Sequence, residues 1–213
     1  MERECGKTDG LLAGARAVIA RGYDCGDTSG RGGIQCDEVG GFDANSERQE
    51  TDVEAWAKEI GVWWNDPLAE LERLYGERIA NGSEAYVYAM DGQYVIKARD
   101  IYGYKSLDEA LESIELHNVL FPATAMRVLG FGRSDGDFNI VFVQRYVKAA
   151  RFADAERIAR MMKEEFDAEK DEMVLGGNSY ENDVLLLQDL KPANVLEARD
   201  GMLYVIDGDF YRK

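Results

Sequence analysis

The sequence predicts an α+β protein in which a five-stranded antiparallel lobe is followed by a smaller, mainly helical one. Three observations predict it. The chain has 213 residues, 46% of them apolar, enough for a sizeable core. Its hydrophobic period changes from helical to alternating near Arg78. The alternating runs are short and joined by turn residues such as Asp91-Gly92, as antiparallel neighbours are.

Taken in order, residues 1–50 hold 10 of the 22 glycines and predict a flexible tail. Within it only Leu11 to Ala20 carries helical periodicity. Residues 51–147 form the first lobe and the helices that precede it. Thr51 with Glu54 makes a capping-box pattern. Val53, Trp56, Ile60 and Trp63 follow at helical spacing, for about three turns. Pro67 to Tyr75 is a second helix, with Pro in its first turn and Gly76 as its stop. Arg78 to Ala80, Glu84 to Met90 and Gln93 to Lys97 make a three-strand meander, with turns at Asn81-Gly82-Ser83 and Asp91-Gly92. Leu107 to Leu120 is helical, its stripe formed by Leu107, Leu111, Ile114 and Asn118, and Pro122 ends it. Ala125 to Phe131 and Phe138 to Arg145 complete the five strands. Residues 148–213 form the second lobe. Phe152, Ala155, Ile158, Ala159, Met162 and Phe166 sit at helical spacing, and Gly176 to Asn182 is a polar loop. After the short apolar run Val184 to Leu187, Val195-Leu196 and Leu203 to Ile206 make a small hairpin around Asp200-Gly201.

Charge narrows the function. Lys and Arg total 25 against 41 Asp and Glu, a net −16, which argues against a surface that wraps nucleic acid. A small anion site remains compatible with that balance, since a few placed lysines and backbone N–H groups hold a phosphate locally. No apolar run approaches the roughly 20 residues that span a bilayer, and the first residues carry no basic leader. The expectation is a cytoplasmic protein with neither nucleic acid nor membrane as partner. Cys5, Cys25 and Cys36 form no CxxC, which argues against a disulfide framework or a structural zinc site. His117 is the only histidine, so a metal site built from several histidines is excluded.

The chemistry-bearing residues lie late in the chain. Gln188 to Leu196 reads Gln-Asp-Leu-Lys-Pro-Ala-Asn-Val-Leu, with Asp189, Lys191 and Asn194 in close succession. Asp207 ends an apolar run, and Lys97 ends Tyr-Val-Ile-Lys. In this order these pieces resemble the protein-kinase signature set. The resemblance implies a bilobal protein-kinase-like fold with a five-stranded antiparallel N-lobe and a reduced, mainly helical C-lobe. It implies ATP and Mg²⁺, because phosphoryl transfer asks the protein chiefly to position groups and neutralise charge. Asp189 would accept the hydrogen bond of the attacking hydroxyl, and Lys191 would sit near the transferring phosphate. Asn194 and Asp207 would be oxygen ligands for Mg²⁺. Lys97 would contact the α- and β-phosphates, beneath a loop containing Gly82 and Ser83. Glu109, Glu112 and Glu115 compete to pair with Lys97, and the family's spacing to Pro122 favours Glu112. The segment from Gln144 to Val147, with Tyr146 in it, falls where the adenine would be read.

Several strings resemble a narrower family, the kinase-like domain of phage and mobile-element polyvalent proteins. They are Trp56-Ala57-Lys58, the loop from Gly82 to Tyr88, Leu116-His117-Asn118-Val119-Leu120-Phe121-Pro122, and Gly130-Phe131-Gly132. The resemblance runs from about Asp52 to Phe210 and implies that His117 is structural. The chain departs from the wider kinase pattern at three places. Leu187-Gln188 stands where His-Arg precedes the catalytic Asp, Gly208-Asp209 stands where Phe-Gly follows the metal-binding Asp, and six residues follow Asp207. In the wider family the peptide platform follows the metal-binding Asp, and the expected acceptor here is an unspecified protein or small molecule. Two alternatives remain: a nucleotide-binding interaction module without transfer, and a small-molecule kinase.

Overall fold

Leu12, Ala15 and Ile19 recur at helical spacing, and all three are buried. They lie on α1 (Asp9–Asp24), which packs beside α2 (Gly41–Glu59). Gly14 permits the close approach, since a Cβ there would meet the Trp56 ring at 2.7 Å. The structure, a computed structural model, describes residues 9–24, 41–81, 85–171 and 178–213. Two helices thus occupy part of the stretch expected to be a flexible tail, whose residues 1–8 and 25–40 lie outside the described residues. Glycine content suggested a tail, whereas α1 is held by a tertiary contact that composition does not reveal. The expected cap at Thr51 is instead helix interior: its Oγ1 donates to the carbonyl of Glu47 at 2.8 Å.

Gly61, at φ 74°, breaks the helical stripe before it reaches Trp63. Trp63 and Trp64 form β1 (Trp63–Trp64), and α3 (Pro67–Tyr75) follows. The second helix has the expected bounds. Asp66 caps it by accepting from the Ala69 N–H, and Gly76 closes it with its N–H on the Glu72 carbonyl. Then come β2 (Ala80–Asn81), β3 (Ala85–Ala89), β4 (Tyr94–Asp100), α4 (Leu107–Leu120), β5 (Met126–Ser134) and β6 (Asp137–Arg145). The strand order is β1-β5-β6-β4-β3-β2. The sheet is therefore six-stranded and mixed, not five-stranded and antiparallel, because β1 runs parallel to β5 with Trp63 opposite Phe131. Glycine makes that pairing possible: a Cβ on Gly130 would strike the Val62 carbonyl, and one on Gly132 would strike the Trp64 carbonyl.

The chain divides into two units, residues 1–111 with 127–144, and residues 112–126 with 145–213. In the first, Leu71, Tyr88, Ile96, Ala98 and Val141 form a buried cluster. The second contains β7 (Arg151–Phe152), α5 (Ala155–Phe166), β8 (Glu169–Lys170), β9 (Tyr180–Glu181), β10 (Leu185–Gln188), β11 (Val195–Glu197), β12 (Leu203–Val205) and β13 (Asp209–Arg212). The expectation of a mainly helical second lobe is corrected here. Two small sheets, ordered β13-β10-β9-β8 and β12-β11-β7, hold more of residues 148–213 than the one α-helix there, α5. The hairpin of β11 and β12 stands where it was expected, whereas the other strands, of two to four residues, are too short to display a period. Their core gathers Phe121, Ile158, Met162, Leu187, Val195, Val205 and Phe210. Among the described residues no helix is long and apolar enough to cross a membrane.

Candidate functional site

Two strand pairings in the second unit set two short loops side by side. The segment Asp189–Asn194 connects β10 to β11, and Ile206–Gly208 connects β12 to β13. β10 pairs with β13, which puts Gln188 opposite Asp209. β11 pairs with β12, which puts Val195 opposite Val205. The Ile206 N–H closes the arrangement on the Asn194 carbonyl at 2.9 Å. Asp207 is thereby bound through its chain neighbours to the residue before Asp189 on one side and to Asn194 on the other. Gly208, at φ 153°, allows the tight crossing, since a Cβ there would lie 3.2 Å from the Gln188 carbonyl. This glycine directly follows Asp207, where the sequence departs from the wider kinase pattern.

Within the first loop the polar groups converge on one oxygen. Asp189 Oδ2 accepts from Lys191 Nζ at 2.9 Å and from Asn194 Nδ2 at 2.7 Å. Asn194 Nδ2 also reaches the Asp189 carbonyl at 2.8 Å. Asp189 sits at φ 54°, a left-handed conformation that a non-glycine residue adopts at some cost. The Leu190 N–H on the Asn178 carbonyl, at 2.9 Å, and the turn Pro192–Asn194 hold that backbone in place. The Asp189 side chain keeps 38% exposure and Lys191 40%, so both remain open to a ligand.

A buried acid supports the far end of the loop. Glu197, on β11, is 7% exposed and takes Arg151 Nε at 2.9 Å, Arg151 Nη2 at 3.0 Å and Arg157 Nη1 at 2.6 Å. The Arg151 hydrogen bonds hold its carboxyl below the usual carboxylate range, against the opposing effect of burial. His117 has the structural place expected of it: it is fully buried, and its ring lies 5.6 Å from that of Phe121 and 5.5 Å from that of Phe210. Its Nε2 lies 3.0 Å from the Thr124 carbonyl, which can only accept, so Nε2 carries the proton.

The remaining candidates are distributed as follows. Lys97 is buried at 4% exposure on β4, opposite Val87 of β3 and between Ile96 and Ala98. Gln144 is buried at the end of β6, and Tyr146 is exposed just beyond it. Gly82 and Ser83 lie outside the described residues. Of the acids weighed for Lys97, Glu109 accepts from the Lys105 N–H at 2.7 Å, and Glu112 lies 3.4 Å from Arg212 Nη1. Glu112 and Lys97 also belong to different units, because the division falls within α4. A cleft of about 440 Å³ in the first unit, lined by Asp100, Tyr102, Tyr104, Arg133 and Phe138 among others, contains none of the candidates.

Sequence reasoning missed Ser113 and Thr124, both buried, which hydrogen-bond to Phe210 and Val205 on either side of Asp207. A signal existed for the first: Ser113 is a polar residue set between Leu111 and Ile114 on an apolar stripe. Asn118, on the same stripe, holds the Met126 backbone with both ends of its amide, at 2.8 and 2.6 Å.

The donor set suits one kind of metal. Among the described residues no group of three or more His, Cys, Asp and Glu could hold an ion. One carboxylate and one amide suit Mg²⁺, which keeps water and phosphate oxygens in its shell, and do not suit zinc. The Asn194 amide nitrogen is committed to Asp189, which leaves its oxygen as the end that could face a cation.

An α+β chain with an Asp-x-Lys-Pro-x-Asn loop set beside a strand-end Asp is kinase-like. A family model described as "Serine/Threonine/Tyrosine Kinase found in polyvalent proteins" matches residues 46–213, and the chain belongs to that family. The match takes in most of α2 and everything after it, and leaves α1 outside. No curated protein matches the chain.

Proposed function

We propose that this chain is an ATP- and Mg²⁺-dependent phosphotransferase that moves the γ-phosphoryl group of ATP to a hydroxyl on a protein or small molecule. The observation that carries the reading is the Asp189 carboxylate. Both of its side-chain partners, Lys191 and Asn194, bond to Oδ2. Oδ1 is then the oxygen that takes the proton of the acceptor hydroxyl, as the new P–O bond forms and the bond to the leaving ADP oxygen breaks. Lys191 holds Asp189 in the absence of nucleotide and turns its ammonium to the transferring phosphate in the complex. Asn194 and Asp207 hold the metal. When bound, Mg²⁺ neutralises charge on the phosphate oxygens. Lys97 contacts the α- and β-phosphates, Gly82 and Ser83 belong to the loop that covers them, and the backbone from Gln144 to Tyr146 reads the adenine.

The test is thermal denaturation with ATP, with and without Mg²⁺, on the wild type and Asp207→Asn. Ligand at 100-fold over its Kd adds about 2.7 kcal/mol, or about 5–10 °C for a chain of this size. The expected result is a Mg²⁺-dependent rise that the variant loses, together with phosphate transfer by the wild type alone. A rise without transfer to any acceptor would leave a nucleotide-binding module. No rise in any condition would remove the nucleotide site itself.

A further inference from the structure

We propose that Ser113 and Thr124 are positioning residues whose hydroxyls hold the two flanks of the Asp207 segment and so set this metal ligand against Asn194. The proposal rests on the phosphotransferase reading, in which Asp207 and Asn194 share the metal.

The geometry begins with two strand edges. β13 is the outer strand of one small sheet and β12 the outer strand of the other. An edge strand presents backbone groups that the ladder does not satisfy. Phe210 is buried at 1% exposure, and its N–H donates to Ser113 Oγ of α4 at 2.9 Å. Val205 is also 1% exposed, and its carbonyl accepts from Thr124 Oγ1 at 2.5 Å. Ser113 and Thr124 are each 1% exposed. The two hydroxyls therefore meet the last residue of β12 and the second of β13. Only Ile206, Asp207, Gly208 and Asp209 lie between those anchors.

A third contact makes the anchors one body. His117, between Ser113 and Thr124 in the chain, bonds the Thr124 carbonyl through Nε2 and packs its ring on Phe210. Displacing either hydroxyl thus frees one end of a four-residue span that carries the metal ligand. Simple filling of a core would need no hydroxyl at either place, because a buried hydroxyl is costly unless it is bonded. Here both are bonded, and both to the flanks of one residue. Residues that orient a ligand from behind govern metal affinity without touching the ion.

The experiment titrates Mg²⁺ at fixed ATP on the full chain, well below the melting temperature, and reads the half-saturating concentration from nucleotide binding. Amide exchange at Phe210 is followed in the metal-free protein. Ser113→Ala and Thr124→Val should raise the Mg²⁺ midpoint roughly 10- to 100-fold, while binding of ATP without metal is unchanged. Thr124→Ser keeps the hydroxyl and should restore a midpoint near that of the wild type. Exchange at Phe210 should quicken in Ser113→Ala. A midpoint unchanged in both hydroxyl-deleting variants overturns the proposal, whatever their melting temperatures, because the pair then serves the fold alone. Should Ser113→Ala fail to fold, Thr124→Val against Thr124→Ser decides. A wild type without Mg²⁺-dependent ATP binding overturns the phosphotransferase reading and this proposal with it. A metal-dependent wild type with unaffected variants overturns only this one.

Discussion

The two units place their candidate residues by different physics. Lys97 stands on an interior strand of a six-stranded sheet, among buried Ile96, Ala98 and Val95. Its position follows from apolar packing and strand register. Asp189, Asn194 and Asp207 stand on loops, and hydrogen bonds hold those loops: Lys191 and Asn194 on Asp189, Ile206 on Asn194, Ser113 and Thr124 about Asp207. In the first unit the polar clusters serve helices instead. Arg133 ties Glu50 and Glu54 of α2, and Ser134 ties Asp66 at the start of α3. A side chain fixed by packing keeps its place when a hydrogen bond elsewhere is lost, at a cost in stability, whereas a residue on a bonded loop moves. Chemistry should therefore be fragile in the second unit and stability in the first.

The largest effect expected is that of Asp189→Asn. An amide keeps the size and much of the bonding of the carboxylate but cannot take a proton. Transfer should fall by about 10² to 10⁴, with a melting temperature within about 2 °C of the wild type. Steady-state phosphate transfer beside a melting curve measures both. A large loss of stability with modest loss of transfer would break the contrast, since Asp189 would then be a structural residue.

Gly130→Ala tests the opposite corner. The added methyl meets the Val62 carbonyl where β1 docks on β5, and the Trp64 indole beside it leaves it little room. Overpacking of this kind costs about 1–3 kcal/mol, or about 2–12 °C in melting temperature. The Mg²⁺ midpoint for nucleotide binding in the folded protein should not change. A shifted midpoint with unchanged stability would show that the sheet edge governs the site. Ser134→Ala is another form of the same test. Its Oγ accepts from the Leu68 N–H at 3.1 Å and donates to Asp66 at 2.7 Å. The variant loses both bonds, at about 1 kcal/mol each, and should melt about 4–8 °C lower.

The same contrast explains what the sequence disclosed. Asp189, Lys191 and Asn194 bond to one another across two and five residues, so their chemistry is written in one short string. α3 was legible to its ends because Asp66, Pro67 and Gly76 are local punctuation. The hairpin of β5 and β6 was legible because Asp135 and Gly136, both at positive φ, make a two-residue turn. Ser113 and Thr124 were not, because their partners lie 97 and 81 residues away. β1 was read as helix because Trp63 continues the stripe of Trp56, and the glycines that receive it are on a distant strand. The hairpin of β11 and β12 was legible around Asp200-Gly201, whereas β7, β8, β9, β10 and β13 were not, because runs of two to four residues show no period and exist only through their partners.

The smallest effect concerns charge at the base of the loop. Glu197 is held by Arg151 and Arg157, and its carboxyl lies below the usual range chiefly through the Arg151 hydrogen bonds. A carboxyl lowered in the folded state stabilises it fully above the unfolded value of about 4.3. That stabilisation is lost as pH falls through the lower, folded value. Glu197→Gln should therefore melt below the wild type at pH 7, and the gap should close as both are taken toward pH 3. Salt should narrow the gap at neutral pH, because Arg151 is exposed on its side of the pair. A gap that persists undiminished at pH 3 would mean that Glu197 serves by shape and neutral hydrogen bonding. In that case the ion pair would add nothing to the loop, and the polar placement of Asp189 would rest on Lys191, Asn194 and the backbone bond to Asn178 alone.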